Sequence, residues 1–250
     1  MIQYLKSLLK LFTWENHLLL LTKRRNLLMK KLNFSTIYKI FTEICLYFVY
    51  FIFSLTAAFK ILINFTPFYG FLIDIFKVTE IVKISKENIY SDFTKLMEYL
   101  RSFTPMRFPL EYFKYSPSGE FHFMEVRLLF LKMDILFWIS VVLLLIILFI
   151  NRKTLKSIFN NYKKFLICAS GLLIAFSIPV VSNFSWAFEK FHKIVFSNDD
   201  WLFDPKTDPI INALPEGVFF SYLISILLIF LIILLIPIII KKIFPKLNNR

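Results

Sequence analysis

Residues 218–240 read VFFSYLISILLIFLIILLIPIII, twenty-three residues without a charge. A helix of about 20 apolar residues crosses the ~30 Å hydrocarbon core of a bilayer. Three shorter uncharged runs come earlier in the chain, at 44–59, 135–150 and 165–181. A soluble protein of 250 residues has too little amphipathic sequence to cover four such helices. We therefore predict membrane spans over about 40–63, 128–150, 165–183 and 218–240.

The composition agrees with a membrane protein and excludes several other classes. Apolar residues make up 58% of the chain and charged residues 19%, and 32 residues are Phe. A soluble domain has roughly 45–50% apolar and about 25% charged residues, so a disordered or disulfide-scaffold chain is excluded. With only four glycines, the chain cannot form a Gly-rich phosphate-binding loop.

The net charge of +13 is distributed in an alternating pattern along the chain. Residues 1–39 carry +7, 64–127 carry zero, 151–164 carry +5, 182–217 carry −3 and 241–250 carry +4. Loops rich in Lys and Arg stay on the cytoplasmic side of a membrane. We therefore predict an all-α integral membrane protein of four transmembrane helices with both termini in the cytoplasm. The two remaining segments would form an extracytoplasmic cap, and a nucleic-acid partner is not expected.

Three regions follow from this pattern. Residues 37–240 form a four-helix membrane domain, and residues 241–250 form a basic cytoplasmic tail. Residues 1–36 form a basic N-terminal extension, for which two interpretations stay open. It is either an amphipathic helix at the membrane surface or a segment that precedes a natural start at Met29.

Two histidines lie in the outward segments, and they are the candidate catalytic residues. His122 has Glu125 three residues after it, and His192 has Glu189 three residues before it. This spacing puts each pair on one helix face, where a carboxylate can fix the tautomer of an imidazole. Histidine is a natural general base near neutral pH. The alternative is that both are surface histidines with incidental neighbours.

The acidic residues after His192 have two interpretations. Asp199, Asp200, Asp204 and Asp208 offer oxygen ligands within ten residues. Their order does not match a Ca²⁺-binding loop, and a zinc site needs three or more ligands that the spacing does not demand. We favour a role in capping turns and expect no metal and no cofactor.

Two runs of residues resemble the bacterial lipoprotein intramolecular transacylase (Lit) family. The first, SPSGEFHFMEVRLLF, covers residues 116–130, and the second, FHKIVFSNDDWLFDPKTDPIINALPE, covers residues 191–216. The resemblance extends over about residues 37–240 and includes the layout of four spans. The N-terminal 28 residues have no counterpart in it.

The resemblance implies an enzyme of the bacterial cell membrane with its active site on the outer face. Its substrates would be diacylated lipoproteins, and membrane lipids would surround it. The reaction would move the sn-2 acyl chain of a diacylglyceryl-Cys to the N-terminal amine, giving an N-acyl lyso-lipoprotein. His122 and His192 fall on the two essential histidines of the family. We expect His192 to be the base because it lies in the denser motif, and the exchanged assignment, with His122 as the base, stays open. The expected supporting residues are Glu125, Arg127, Asn198, Asp199, Trp201, Asp204, Asp208 and Glu216.

Within that set, we expect Glu125 and Arg127 to orient His122 or to contact a headgroup phosphate. Two other functions stay open. One is a metal-dependent membrane hydrolase that uses the same histidines, and the other is a non-enzymatic accessory or transport protein.

Overall fold

A computed structural model describes residues 17–19, 21–23, 34–154 and 161–243. Most of the predicted basic extension over 1–36, the alternative start at Met29 and most of the basic tail over 241–250 lie outside the described residues. The chain divides into two compact units, Met1–Cys45 and Leu46–Arg250. In the first unit the Thr42 hydroxyl donates to the carbonyl of Tyr38 at 2.8 Å, one helical turn earlier. All contacts below belong to the second unit.

The described chain is a succession of helices without a β-strand in those residues. Their bounds are α1 Phe34–Asn64, α2 Pro67–Ile75, α3 Val78–Val82, α4 Lys86–Arg101, α5 Pro117–Ile150, α6 Tyr162–Ser182, α7 Phe184–Val195, α8 Ile210–Ala213 and α9 Glu216–Ile243. Within the described ranges, four of these helices (α1, α5, α6 and α9) are long and apolar enough to cross a membrane. The prediction of an all-α protein with four candidate membrane spans is confirmed.

Helix α5 is 34 residues long and begins well before the apolar run of the second span. Pro117 occupies its first turn, where a missing N–H costs nothing. The Ser116 hydroxyl accepts a hydrogen bond from the backbone N–H of Gly119 at 2.9 Å and caps the helix. The first candidate motif and the second apolar run therefore lie on one continuous helix.

The long helices are connected by tyrosines that satisfy main-chain carbonyls. Pro237 interrupts α9, and because it has no N–H, the carbonyl of Ile233 loses its usual helical partner. The Tyr50 hydroxyl donates to that carbonyl at 2.6 Å. The Tyr162 hydroxyl donates to the neighbouring carbonyl of Leu234 at 2.7 Å. These bonds connect α1 and α6 to the proline turn of α9, where an unsatisfied carbonyl would be costly in hydrocarbon.

The two segments between the long helices pack together into one apolar core. Buried side chains of α2, α3, α4 and the loop after α4 meet Phe123 of α5 and Ile210, Ala213 and Leu214 around α8. The Tyr69 hydroxyl donates to the carbonyl of Ala213 at 2.7 Å. This core joins the first segment to the second, and thereby brings the two candidate motifs to the same end of the helices.

A buried carboxylate shapes the loop that precedes α5. Asp92 is fully buried and accepts hydrogen bonds from the backbone N–H groups of Glu111, Tyr112 and Phe113 at 2.8–3.2 Å. Main-chain donors stabilise a buried carboxylate without a cationic partner. The loop therefore reaches the start of α5 in a defined conformation.

Candidate active site

His122 lies in the second turn of α5, and its side chain is buried. Only 6% of the residue is exposed. The ring of Phe196 meets it edge-on with centroids 4.7 Å apart, and the ring of Phe203 does so at 5.5 Å. The cap at Ser116 fixes where the helix starts, and thus where the imidazole points.

His192 lies in the last turn of α7 and is also buried, with 8% exposed. Its Nδ1 is 2.7 Å from the carbonyl oxygen of Phe188. A carbonyl can only accept, so Nδ1 carries the proton and Nε2 holds the free lone pair. Burial lowers the pKa of His192 below its ordinary value, and the bond to Phe188 partly opposes that shift. The ring is therefore a neutral base with one defined basic nitrogen.

The structure brings the two imidazoles together inside an aromatic enclosure. Their ring centroids are 5.9 Å apart. Trp201 stacks on His192 at 4.9 Å, and the indole N–H of Trp201 donates to the carbonyl of Asn198 at 3.1 Å. Phe188 lies 4.1 Å from the His192 ring, and Phe196 touches both imidazoles. Aromatic walls keep water away from the pair and strengthen electrostatic effects there.

Glu125 lies beside His122, as its spacing predicted, without a full hydrogen bond. Its Oε2 is 3.9 Å from Nδ1 of His122. Both atoms are buried, and neither has a hydrogen-bond partner. The other oxygen, Oε1, accepts from the side-chain amide of Asn198 at 2.9 Å. Asn198 thus holds Glu125 from the second motif, and the unpaired oxygen faces the unpaired nitrogen.

Two charged neighbours of the histidines are engaged elsewhere. Glu189 forms an ion pair with Lys193 on the exposed side of α7 and does not hold His192. The Arg127 guanidinium donates to the carbonyls of Ser102 and Thr104, and it stacks on Tyr99 at 4.9 Å. In this arrangement Arg127 secures the end of α4 against α5, away from His122.

Asp208 connects the second motif to the start of the His122 helix. It is 3% exposed, and its Oδ1 accepts from the backbone N–H of Ser116 at 2.7 Å. A side chain at Gly119 would conflict with this contact, because a Cβ there would lie 2.1 Å from the same Oδ1. Asp208 therefore needs a glycine in the first turn of α5.

The remaining predicted residues shape or edge the second segment. Asp204 accepts from the backbone N–H of Lys206 at 2.9 Å, as a turn-forming aspartate does. The Asp199 side chain is exposed. Glu216 accepts from the Ser185 hydroxyl at 2.6 Å, which connects the start of α9 to α7.

The described residues bring together no group of three or more His, Cys, Asp or Glu side chains arranged to hold a metal ion. Three of the four acidic residues considered as ligands are engaged in the protein. Asp208 binds main-chain and hydroxyl donors, Asp204 accepts from the backbone N–H of Lys206, and Asp200 accepts from the Ser118 hydroxyl at 2.5 Å. The site is therefore a pair of imidazoles with an adjacent carboxylate and amide.

Sequence reasoning included Trp201 but missed the phenylalanines of the enclosure and the glycine beneath Asp208. Phe188 lies four residues before His192, a spacing that places it on the His192 side of α7, whereas Phe196 follows the end of α7 with an extended backbone. That spacing was a usable signal. No sequence pattern pointed to Gly119, because the oxygen that lies against it, Oδ1 of Asp208, belongs to a residue 89 positions later.

The family described as lipoprotein intramolecular transacylase Lit matches residues 44–220, more than two thirds of the chain. The chain belongs to the Lit family. The match contains both histidines, Glu125 and the whole run from Phe191 to Glu216. No curated protein matches the chain.

Solved structures of a Lit protein have the same fold. A structure of the membrane-integral lipoprotein intramolecular transacylase Lit from Bacillus cereus is 26% identical, with a TM-score of 0.72 over 85% of this chain and 98% of that one. Variants of the Bacillus cereus protein with a histidine replaced by arginine or by alanine both give a TM-score of 0.76. They are 23% and 24% identical and cover 88% of this chain and 98% and 99% of theirs. The fold is thus that of a membrane-integral Lit protein.

Proposed function

We propose that this Lit family member transfers the sn-2 acyl chain of a diacylglyceryl-Cys lipoprotein to the α-amino group of the same cysteine. The C–N bond of the amide forms as the ester C–O bond breaks. The neutral amine loses one proton, and the glycerol oxygen gains one. Donor and acceptor belong to one molecule, so holding both within reach supplies much of the rate without a second substrate.

The observation that carries this proposal is the buried histidine pair with the Nδ1 of His192 on a main-chain carbonyl. His192 then presents Nε2 as the base that takes the amine proton. The amine has an ordinary pKa of about 8, so a substantial fraction is protonated at neutral pH and cannot attack. A nearby neutral imidazole assists the loss of its proton.

His122 is the partner that donates to the leaving glycerol oxygen or to the tetrahedral oxyanion. Its Nδ1 faces Oε2 of Glu125, and a modest approach of the two atoms would turn 3.9 Å into a hydrogen bond. A carboxylate in that position stabilises the charge that develops on the ring while it passes the proton released by the amine to the glycerol oxygen. Asn198 supports this arrangement by holding the other oxygen of Glu125.

The length of α5 supports a site above the hydrocarbon core. Its 34 residues extend over about 51 Å at 1.5 Å per residue, roughly 20 Å more than the core of a bilayer. His122 lies near the end of α5 that precedes the apolar run. The ester and amine of a membrane-anchored lipoprotein occupy the headgroup layer, which this overhang reaches.

The charge pattern supports an outer-face site in a membrane domain over residues 37–240. The basic loop 151–164 and the tail would face the cytoplasm, and the opposite ends of the helices would then face outward.

The supporting residues would act on the histidines indirectly. Trp201 would act by packing on His192. Asp208 would act by holding Ser116. Asp199, Asp204 and Glu216 would shape the second segment, and Arg127 would secure the loop after α4.

The test is expression in a bacterial host whose lipoproteins are diacylated, followed by mass spectrometry of an N-terminal lipopeptide. The wild-type chain should convert the diacylglyceryl form into the N-acyl lyso form. His122→Ala and His192→Ala should each abolish that product at equal protein level. His17→Ala, which changes the remaining histidine, is the matched control and should leave the product unchanged.

Absence of the N-acyl lyso form with the wild-type chain would overturn the proposed reaction. Its persistence in both site variants would overturn the assigned residues. A metal-dependent hydrolase predicts something different, namely release of free fatty acid that a chelator suppresses.

The orientation has its own test. Single cysteines at exposed Asp199 and at Lys153, in a chain without Cys45 and Cys168, should react differently with a membrane-impermeant thiol reagent on intact cells. We expect labelling at position 199 and none at 153 until the cells are lysed. The reverse pattern would invert the topology and move the site to the cytoplasmic face.

A further inference from the structure

Helix α7 carries a second apolar surface besides the one that holds His192. Phe184, Phe188 and His192 follow each other at four-residue spacing and face inward. Ala187, Phe191, Ile194 and Val195 form a separate stripe at positions i, i+4, i+7 and i+8. The two faces adjoin around the helix. Val195 lies close to Phe184 and Phe188. Phe191, by contrast, lies about 100° from His192, and Ile194 lies farther still.

The second stripe is uncovered in the structure. Ile194 is 81% exposed, Phe191 52% and Val195 37%. Water would be a poor environment for a contiguous apolar stripe on a helix of only twelve residues. Glu189 and Lys193 pair with each other on another side of the same helix, which separates a charged face from the apolar stripe.

The position of α7 in the chain identifies what covers this stripe. Asn183 alone separates α7 from the apolar helix α6, whose own side chains Phe176, Ile178 and Val181 are 52–71% exposed. In a helix that crosses a membrane, such side chains face lipid tails. Exposed apolar side chains thus continue along the chain from α6 into α7, with Asn183 as the one residue between the two helices. Lys190 also lies on α7, and a lysine at this depth can extend toward phosphate groups.

We infer that the stripe of Ala187, Phe191, Ile194 and Val195 is embedded in the phospholipid leaflet next to the site, so that α7 lies in the membrane interface. A helix with an apolar face and a charged face adopts this position, with the apolar side buried about 5–10 Å into the boundary between headgroups and acyl chains. The bilayer then fixes the position of His192 relative to the headgroup layer, because the helix that carries His192 is itself embedded there. This inference goes beyond the proposed reaction and does not depend on it.

Site-directed spin labelling tests the inference on the full chain. A nitroxide is placed at Ile194→Cys and, separately, at Lys193→Cys, in protein whose Cys45 and Cys168 have been replaced by serine. Each protein is reconstituted into vesicles of phosphatidylcholine and phosphatidylglycerol. The collision of each label with oxygen, which partitions into lipid, is compared with its collision with a water-soluble nickel chelate. Lys193 is the matched control, because it is the adjacent residue on the charged face.

We expect the label at 194 to collide mainly with oxygen and the label at 193 mainly with the nickel chelate, a difference of at least several-fold in the ratio. Equal nickel accessibility at both positions would overturn the inference, because the stripe would then face water. Shielding of position 194 from both reagents would also overturn it, in favour of a protein partner. The high exposure of Ile194 means that its replacement leaves the core intact, and Phe191→Cys provides a second label on the same stripe. No outcome depends on catalysis, so failure of the proposed function leaves the result interpretable.

Discussion

The surroundings of the two histidines differ in what fixes each ring. His192 is fixed by the main-chain carbonyl of Phe188, one helical turn away, which no side-chain substitution removes. His122 faces a side chain, Glu125, which is itself held by Asn198 from the other motif. The difference teaches that one half of the site is built by local helix geometry. The other half exists only when the two motifs pack together.

The largest effect should come from removing the basic nitrogen of His192 while keeping its local bond. His192→Asn retains a side-chain N–H able to reach the carbonyl of Phe188 but has no counterpart of Nε2. We expect kcat/KM to fall by about 10²–10⁴, the range of general acid–base catalysis. The measurement is the initial rate of N-acyl lyso product formation with a synthetic diacylated lipopeptide in detergent micelles. Retention of more than about a tenth of the rate would show that Nε2 is not the base.

The next effect tests the side-chain-dependent half of the comparison. Glu125→Gln keeps the shape of the residue and loses the charge that faces Nδ1 of His122. We expect a fall in kcat/KM of roughly 10–100-fold, as for other partners that orient a catalytic imidazole. Phe188→Leu is the matched change at His192, and because its carbonyl persists, the rate should stay within several-fold of wild type. If Phe188→Leu is the more damaging of the two, the comparison between the histidines is wrong.

A smaller effect should follow from breaking the connection between the motifs. Gly119→Ala places a Cβ 2.1 Å from Oδ1 of Asp208 and must displace that carboxylate from Ser116. We expect a loss of about 1–3 kcal/mol in the free energy of unfolding, the usual cost of an overpacked position. Gly171→Ala is the control, because nothing lies within 4 Å of its added methyl group. Thermal unfolding in detergent measures both, and equal midpoints for the two variants would contradict the role of Asp208.

The smallest effect concerns pH and sharpens the account of His192. The base acts in its neutral form, which prevails above its pKa, and burial moves that pKa below the ordinary 6.5. From about pH 8 downward, protonation of the substrate amine alone should reduce log kcat/KM with a slope of one. A slope of two should begin only below pH 6.5, where His192 also becomes protonated. A steeper slope already above pH 6.5 would mean that His192 has an unshifted or raised pKa.

The sequence predicted the parts of the site that depend on neighbours along one helix. Glu125 lies beside His122 because residues three apart share a helix face. The same reasoning failed for Glu189, since Lys193 lies one turn away from it and offers a stronger, exposed partner than a buried imidazole. Arg127 was expected to orient His122 or to contact a headgroup phosphate. Its guanidinium donates to the carbonyls of Ser102 and Thr104, which come from a loop whose path no spacing reveals.

The aromatic enclosure illustrates the limit of composition. Thirty-two phenylalanines are spread over the chain, so their number does not indicate which of them face the histidines. Phe203 reaches His122 from a loop that has no periodicity to interpret. Asp208 and Gly119 meet only because the second segment folds against the start of α5.

By itself, the sequence determined the class of protein, the four apolar helices and the two motifs. It could do so because hydrocarbon demands long apolar helices with satisfied backbones, a constraint that is readable residue by residue. Only the tertiary structure decided that the two imidazoles lie 5.9 Å apart and that Asn198 holds Glu125. Both contacts join residues about 70 positions apart, unlike the bond from His192 to the carbonyl of Phe188 in its own helix. They therefore follow from packing between helices, which no local pattern records.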